Sequence, residues 1–231
     1  MLLARWWHDF VQLVFPNLCG ACRSALLLEE EMVCTYCRLH FPLTNFHRFP
    51  TENQMFDKFK GSLPIVYASA FLHFSEGGIA QLLAHEIKYN RRCELGIYLG
   101  KWYGSQLAAV DISKQFDCLV PVPLHKDRQK RRGYNQAACF AQGISQTTGI
   151  ALREDLVIRA KATVSQVYME QEQRIANMAN AFQLLPQAEV ANLRILLVDD
   201  VVTTGATIEA CAKPLVQKGC RAIGVLALAN V

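Results

Sequence analysis

Ile195 to Val198 is an uninterrupted apolar run, the pattern of a central parallel strand covered on both faces. It stops at Asp199 and Asp200 and passes through Val201 and Val202 into a turn of small residues, Thr203, Thr204, Gly205, Ala206 and Thr207. Apolar positions then return at helical spacing from Ile208 to Val216, with Pro214 predicted to kink that helix well downstream of the turn. Upstream, Ile65 to Phe74 is partly alternating and β-rich, which reads as a strand. Gly78 to Tyr89 and Leu95 to Val110 have helical periodicity, and the basic turn Lys88 to Arg92 between them reads as a solvated helix end. Asp117 to Val120 is a short strand closed by Pro121, and a further helix begins near Asn135. Asn45 to Leu63 is polar, with Pro50, Asn53 and Gly61, and reads as a linker. The opening Met1 to Phe15 places Trp6, Trp7, Phe10, Val11 and Val14 on helical spacing, interrupted by Arg5, His8, Asp9 and Gln12. That pattern predicts an amphipathic helix docked on the protein rather than a membrane anchor.

Composition narrows the reading. A chain of 231 residues that is 52% apolar can bury one full α/β core with a small appendage. A net charge of +4 is too mild to announce nucleic-acid binding by itself. The sequence contains no apolar run of transmembrane length and no secretory cleavage pattern at its start, so cytoplasm is the expected compartment. Near the N-terminus Cys19 and Cys22 form one Cys-x-x-Cys pair, and after eleven residues Cys34 and Cys37 form a second. Two such pairs fit a zinc ribbon or knuckle in which four thiolates hold one structural Zn²⁺. Disulfide pairing is the weaker rival there. Cys93, Cys118, Cys139, Cys211 and Cys220 lie in apolar segments and read as small buried hydrophobes.

The chemistry of the central segment follows from its order. Carboxylates at the carboxyl end of a parallel strand stand where open α/β sheets bind ligands. The turn after them can aim backbone N–H groups and hydroxyls at one phosphate, with the positive end of a helix dipole behind it. Asp199 and Asp200 would repel that phosphate, and suit ribose hydroxyls or Mg²⁺ instead. A second candidate follows the strand that ends at Pro121. The nine residues Leu124 to Arg132 carry five cations, Lys126, Arg128, Lys130, Arg131 and Arg132, on what reads as a loop, and a pyrophosphate is the right size for two or three of them.

The segment 195–207 resembles the phosphoribosyl-pyrophosphate (PRPP) motif of type I phosphoribosyltransferases. That resemblance implies Asp199 and Asp200 at the ribose hydroxyls as the catalytic pair and Thr203 to Thr207 around the 5′-phosphate, and it strengthens the reading of Lys126, Arg128, Arg131 and Arg132 as pyrophosphate contacts. Pro121 to His125, Arg131 to Gln136, Ser165-Gln166, Arg174 with Asn177, and Ala181-Phe182 are together similar to the signature of the ComF/GntX family. The resemblance runs from Cys19 to about Ala229. It implies a type I phosphoribosyltransferase-like parallel sheet flanked by helices, with a small four-cysteine zinc-ribbon module at the N-terminus. The expected organisation is a cysteine module over 1–45, a linker over 46–64 and the α/β domain over 65–231. It also implies natural competence or use of external DNA, with a DNA-uptake helicase as partner. Ala160 to Gln173 corresponds to the mobile loop of such folds, and carries Lys161 and Gln166 but also Glu170 and Glu172. Two readings stay open: a Mg²⁺-dependent phosphoribosyltransferase, or an accessory protein that holds single-stranded DNA or senses PRPP or nucleotides. No residue marks the acceptor.

Overall fold

The computed structural model describes residues 15–160 and 181–231. The helix expected over 1–14, the loop from 161 onward, and Ser165, Gln166, Arg174 and Asn177 lie outside the described residues. Within them, the chain runs through α1 (Thr35–Leu39), a 3-10 turn (Phe46–Arg48), α2 (Gln54–Asp57), β1 (Ile65–His73), α3 (Ile79–Tyr89), α4 (Cys93–Ala108) and α5 (Ile112–Gln115). It continues with β2 (Cys118–Pro121), α6 (Lys126–Arg132), α7 (Gln136–Thr148), β3 (Ala151–Leu152), β4 (Val157–Arg159), β5 (Phe182–Leu184), β6 (Arg194–Val202), α8 (Ala206–Gln217) and β7 (Ala222–Asn230).

Five strands form one parallel sheet in the order β1-β7-β6-β2-β3, and β4 pairs antiparallel with β5. β6 is central, which is why Ile195 to Val198 are all apolar and fully buried. Leu196 and Val198 face one core layer with Tyr103 and Phe140 from the helices, while Ile195 and Leu197 face the other with Ile208 and Leu215 of α8. α8 continues through Pro214 to Gln217.

Helices α4 and α7 approach until their backbones touch. A Cβ on Gly100 would stand 2.1 Å from the Phe140 carbonyl oxygen, and one on Gly143 would stand 2.1 Å from that of Ile97. At one end of the contact Cys93 and Cys139 form a disulfide, with Cα atoms 5.5 Å apart. This corrects the reading of those two cysteines as free hydrophobes: each sits in an apolar stripe, and the glycines bring the stripes within bonding range. Cys118 and Cys211 are free and buried, as expected.

The polar stretch after the cysteine module is packed against the sheet rather than free of it. Asn53 caps α2 by accepting from the Met55 and Phe56 N–H groups, and its amide donates to the Phe49 and Ala68 carbonyls at 2.7 and 2.9 Å. Met55 and Phe59 are buried in the core beside α8. Residues 42–44 run along the edge of β1, with the His73 N–H donating to Pro42 at 2.7 Å and the Thr44 N–H to Phe71 at 3.1 Å. They cover the outer edge of the sheet. The cysteine module shares the core of the sheet domain, and Phe41 stacks on Trp102 with ring centroids 4.9 Å apart.

Glycine to alanine normally strengthens a helix by about 1 kcal/mol. At Gly100 the added methyl collides with backbone, and overpacking of about 1–3 kcal/mol outweighs that gain. Gly100→Ala is therefore expected to lower the melting temperature by several degrees in a thermal melt. A rise would mean that the two helices are not in backbone contact.

Candidate functional site

Four sulfurs, those of Cys19, Cys22, Cys34 and Cys37, lie within 4.8 Å of one another and are positioned to hold a metal ion. The Cys22 and Cys34 sulfurs are 3.7 Å apart, close to the spacing of about 3.8 Å that tetrahedral thiolates around Zn²⁺ would have. Backbone N–H groups of Ala21 and Cys34 donate to Cys19 Sγ, at 3.4 and 3.3 Å, and that of Cys37 donates to Cys34 Sγ at 3.5 Å. Such donors favour sulfur in its anionic form. Hydrogen bonds from Ser24, side chain first and then backbone, lower the Cys22 thiol to about 6, while burial pushes Cys34 and Cys37 up. Buried thiols with raised pKa values ionise readily only beside a cation, so the donor set fits a soft divalent metal.

The second constellation forms at the carboxyl end of β6. Asp199 Oδ1 accepts from the Asp200 N–H at 2.8 Å, and Asp200 Oδ1 accepts from the Val201 N–H at 2.7 Å. Asp200 Oδ2 pairs with Lys88 Nζ at 3.0 Å. Lys88 belongs to the last turn of α3, in the segment read from sequence as a solvated helix end. Burial, then the adjacent charge of Asp200, raises Asp199 to about 8, against weaker opposition from the Asp200 N–H, Lys88 and Arg159. Cys211 beneath it is pushed up by burial and by the same carboxylate.

The turn after the pair is shaped by one residue. Gly205 has φ +86°, and a Cβ there would lie 2.7 Å from Phe59. Only glycine meets both conditions without strain. Thr203 and Thr204 are exposed, Thr207 is half-buried, and a small cleft follows the turn from Asp199 to Ile208. Lys58 Nζ donates to the Val231 carbonyl at 2.6 Å and also to that of Thr203, holding the start of the turn against β7's end.

The cation-rich stretch is a helix, not a loop. His125 caps α6 by accepting from the Asp127 N–H at 3.3 Å, and Gly133 ends it with φ +86°. Lys130, Arg131 and Arg132 fall in its last turn, where the negative end of the dipole welcomes them. That placement explains why so many cations can follow one another in a helix. Arg132 lies over the Tyr89 ring, 5.5 Å from its centroid, while Lys126, Arg128 and Arg131 are exposed. Arg128 is close enough to Arg159 to lower its pKa, second to burial, and Asp199 acts on Arg159 in the opposite direction. The structure therefore brings Asp199, Asp200 and the turn together, places Arg128 near enough to Arg159 to act on its charge, sets Arg132 beside α3, and leaves Lys126, Arg128 and Arg131 exposed. Lys58, Lys88 and Arg159 were not singled out from sequence. The signal for Lys88 was its place in the last turn of a helix that buries Ala80, Leu83, Ala84, Glu86 and Ile87.

Five of the described strands thus make a parallel sheet flanked by helices, whose central strand ends in two carboxylates and a left-handed glycine turn into a helix. No family model matches the chain. DNA utilization protein YhgH of Salmonella typhimurium is 33% identical over 236 residues, covering 94% of this chain and 98% of that one. The chain belongs to that protein's family, the ComF/GntX family. Competence protein F of Haemophilus influenzae is 40% identical over 115 residues, or 49% of this chain and 50% of the other. Among solved structures, hypoxanthine phosphoribosyltransferase of Staphylococcus aureus matches with a TM-score of 0.37 at 12% identity, over 58% of this chain and 74% of that one. Among the described residues no helix is long and apolar enough to cross a membrane.

Asp199 binds its proton more tightly when folded. Stability is therefore fully present below the usual value near 3.8 and is lost as pH rises through about 8. Asp199→Asn removes that loss. The variant is expected to melt several degrees above the parent at pH 8.5 and to converge with it near pH 4, in thermal melts across that range. A variant that melts lower at pH 8.5 would place Asp199 in a more polar setting than this geometry gives.

Proposed function

We propose that this protein binds PRPP with Mg²⁺ and transfers its phosphoribosyl group, in the service of competence or the use of external DNA, as the names of its relatives indicate. The observation that supports the reading is the acid pair at the end of β6, half-neutralised by Lys88 and followed at once by the Gly205 turn. The turn and the first N–H groups of α8 would take the 5′-phosphate. Asp199 and Asp200 would accept from the ribose hydroxyls. Their carboxylate oxygens suit a hard cation, and Mg²⁺ would supply charge neutralisation for the pyrophosphate when bound. Arg128 and Arg159, whose charges act on each other and on Asp199, would stabilise charge developing on the leaving group. Asp199, ionised by the approach of these cations, would stabilise positive charge developing at the ribose carbon. The acceptor is unassigned in this reading. The site of action is cytoplasmic, and an uptake helicase is a candidate partner.

Zn²⁺ in the four-cysteine cluster is part of the same proposal. With four protein thiolates it has no open position for chemistry, so its role is structural. Cys34→Ser is expected to bind no stoichiometric zinc by elemental analysis and to lose stability, since metal binding supplies folding free energy to so small a module. Full zinc content in that variant would remove the assignment.

Calorimetry with PRPP tests the main reading. Affinity should require Mg²⁺ and fall at least about tenfold, or 1.4 kcal/mol, in the Asp199→Asn, Asp200→Asn double variant. Arg128→Ala should weaken PRPP more than Arg131→Ala does, and should barely change ribose 5-phosphate. Equal PRPP affinity in the parent and the acid-pair variant would end the proposal. A second reading, in which the protein holds single-stranded DNA, draws on the exposed cations Lys126, Lys130 and Arg131. It predicts instead that Arg131→Ala lowers DNA affinity and flattens its salt dependence, by about 0.7 per lost phosphate contact.

A further inference from the structure

The last turn of α3 is held from two sides. On one side Lys88 reaches Asp200 at 3.0 Å. On the other, Glu86 is buried at 4% exposure and receives the guanidinium of Arg23, a hydrogen bond from Asn90 Nδ2 at 2.7 Å, and Arg92 Nη1 at 4.0 Å. Arg23 follows directly on the first Cys-x-x-Cys pair. Its backbone is left-handed, with φ +65°, and its N–H donates to Cys19 at 3.1 Å, so the turn around Cys19 and Cys22 sets where its side chain can go. Arg92 is anchored to the same module through Leu18 O at 3.1 Å and Met32 Sδ at 3.6 Å. Leu95 fills the space over Gly20, where a Cβ would lie 2.7 Å away. Every polar tie on Glu86 therefore comes from the cysteine module or from the turn that the module clamps. A buried carboxylate cannot tolerate losing its cation, so a displaced Arg23 forces Glu86, and with it the end of α3, to move.

We propose that the cysteine module is the positioning element of the acid pair: Arg23 and Glu86 carry the order of the first Cys-x-x-Cys turn to the end of α3 and thereby fix Lys88 on Asp200. Arg23 and Glu86 are positioning residues that touch no ligand. The consequence for function rests on the PRPP reading: ligand affinity at the acid pair depends on metal in the cysteine cluster, and by linkage bound PRPP slows metal release.

Full-length protein, zinc-loaded and chelator-stripped, is compared with Arg23→Ala, Arg23→Lys and Glu86→Gln by amide hydrogen exchange, and by Mg²⁺-PRPP titration in parent and Lys88→Ala backgrounds. Stripping, Arg23→Ala and Glu86→Gln should each speed exchange over residues 85–92 while leaving β7 protected. Each should weaken PRPP by about fivefold or more, and Arg23→Lys should recover most of the loss. In the Lys88→Ala background Arg23→Ala should cost nothing further, a non-additivity that general destabilisation does not produce. Unchanged exchange over 85–92, or an Arg23→Ala loss of equal size with and without Lys88, overturns the proposal. If the parent does not bind PRPP the ligand reading fails by itself, and the exchange comparison in the ligand-free protein still decides whether the module positions α3.

Discussion

Two neighbouring carboxylates that follow four fully buried strand residues are an electrostatic liability that the rest of this protein is arranged to contain. The four residues before Asp199 are fully buried, so the pair emerges directly from a low-dielectric interior. Lys88 neutralises one charge, and burial keeps a proton on Asp199 near neutral pH. The acid pair is thus close to electrical balance. A ligand that carries cations or hydroxyls to Asp199 gains a carboxylate made ready by its surroundings, and the cost of ionising it is met at the moment of binding. On the PRPP reading selectivity would follow from this, because a bare phosphate would offer nothing to Asp199 whereas a ribose with hydroxyls, or a cation, would.

The geometry around the pair depends on residues far from it in sequence. Phe59 and Lys58 come from the stretch between the cysteine module and β1, yet one packs beneath Gly205 and the other ties Thr203 to Val231. That stretch reads as a linker by composition because its helices are short and its surface is polar. Its two buried apolar residues, Met55 and Phe59, are too few to set a period, and Asn53 spends its polarity inside on carbonyls of neighbouring segments. Composition reports the surface of such a segment and misses its few anchors.

What the sequence made legible was local. The strand, the acid pair, the glycine turn and the start of α8 are contiguous, and each has a distinct residue signature, so their order alone defines half the site. The paired Cys-x-x-Cys spacing likewise encodes a cluster whose members fold back over a few residues. The hidden features depend on long-range contacts. Lys88 and Arg159 are ordinary cations until the fold sets them around Asp199. The α6 cations look like a loop because charge suppresses apolar periodicity, and a seven-residue helix with no buried residue has no period to show. Cys93 and Cys139 became a bonded pair only through the backbone contact at Gly100 and Gly143, a helix interface encoded by missing side chains.

The two halves of the site are prepared to different degrees, and the difference bears on the order of events. The phosphate turn is fixed before any ligand arrives, since Gly205 is locked between its left-handed backbone and Phe59, and α8 is anchored by Ile208, Cys211 and Leu215 in the core. The cations of α6 stand on a short helix with its side chains toward solvent, and long exposed side chains lose rotamer freedom when they grip an anion. On the PRPP reading, a ligand would gain most by seating its 5′-phosphate first, where ordering is already complete. The pyrophosphate would then meet Arg128 and Arg159 at high effective concentration, so that their entropic cost would fall on an intramolecular step. A fragment bearing only pyrophosphate lacks that tether and must order the arginines unaided. On that reading Asp199 would ionise as cationic charge gathers around it, in the direction in which Lys88 and Arg159 already act.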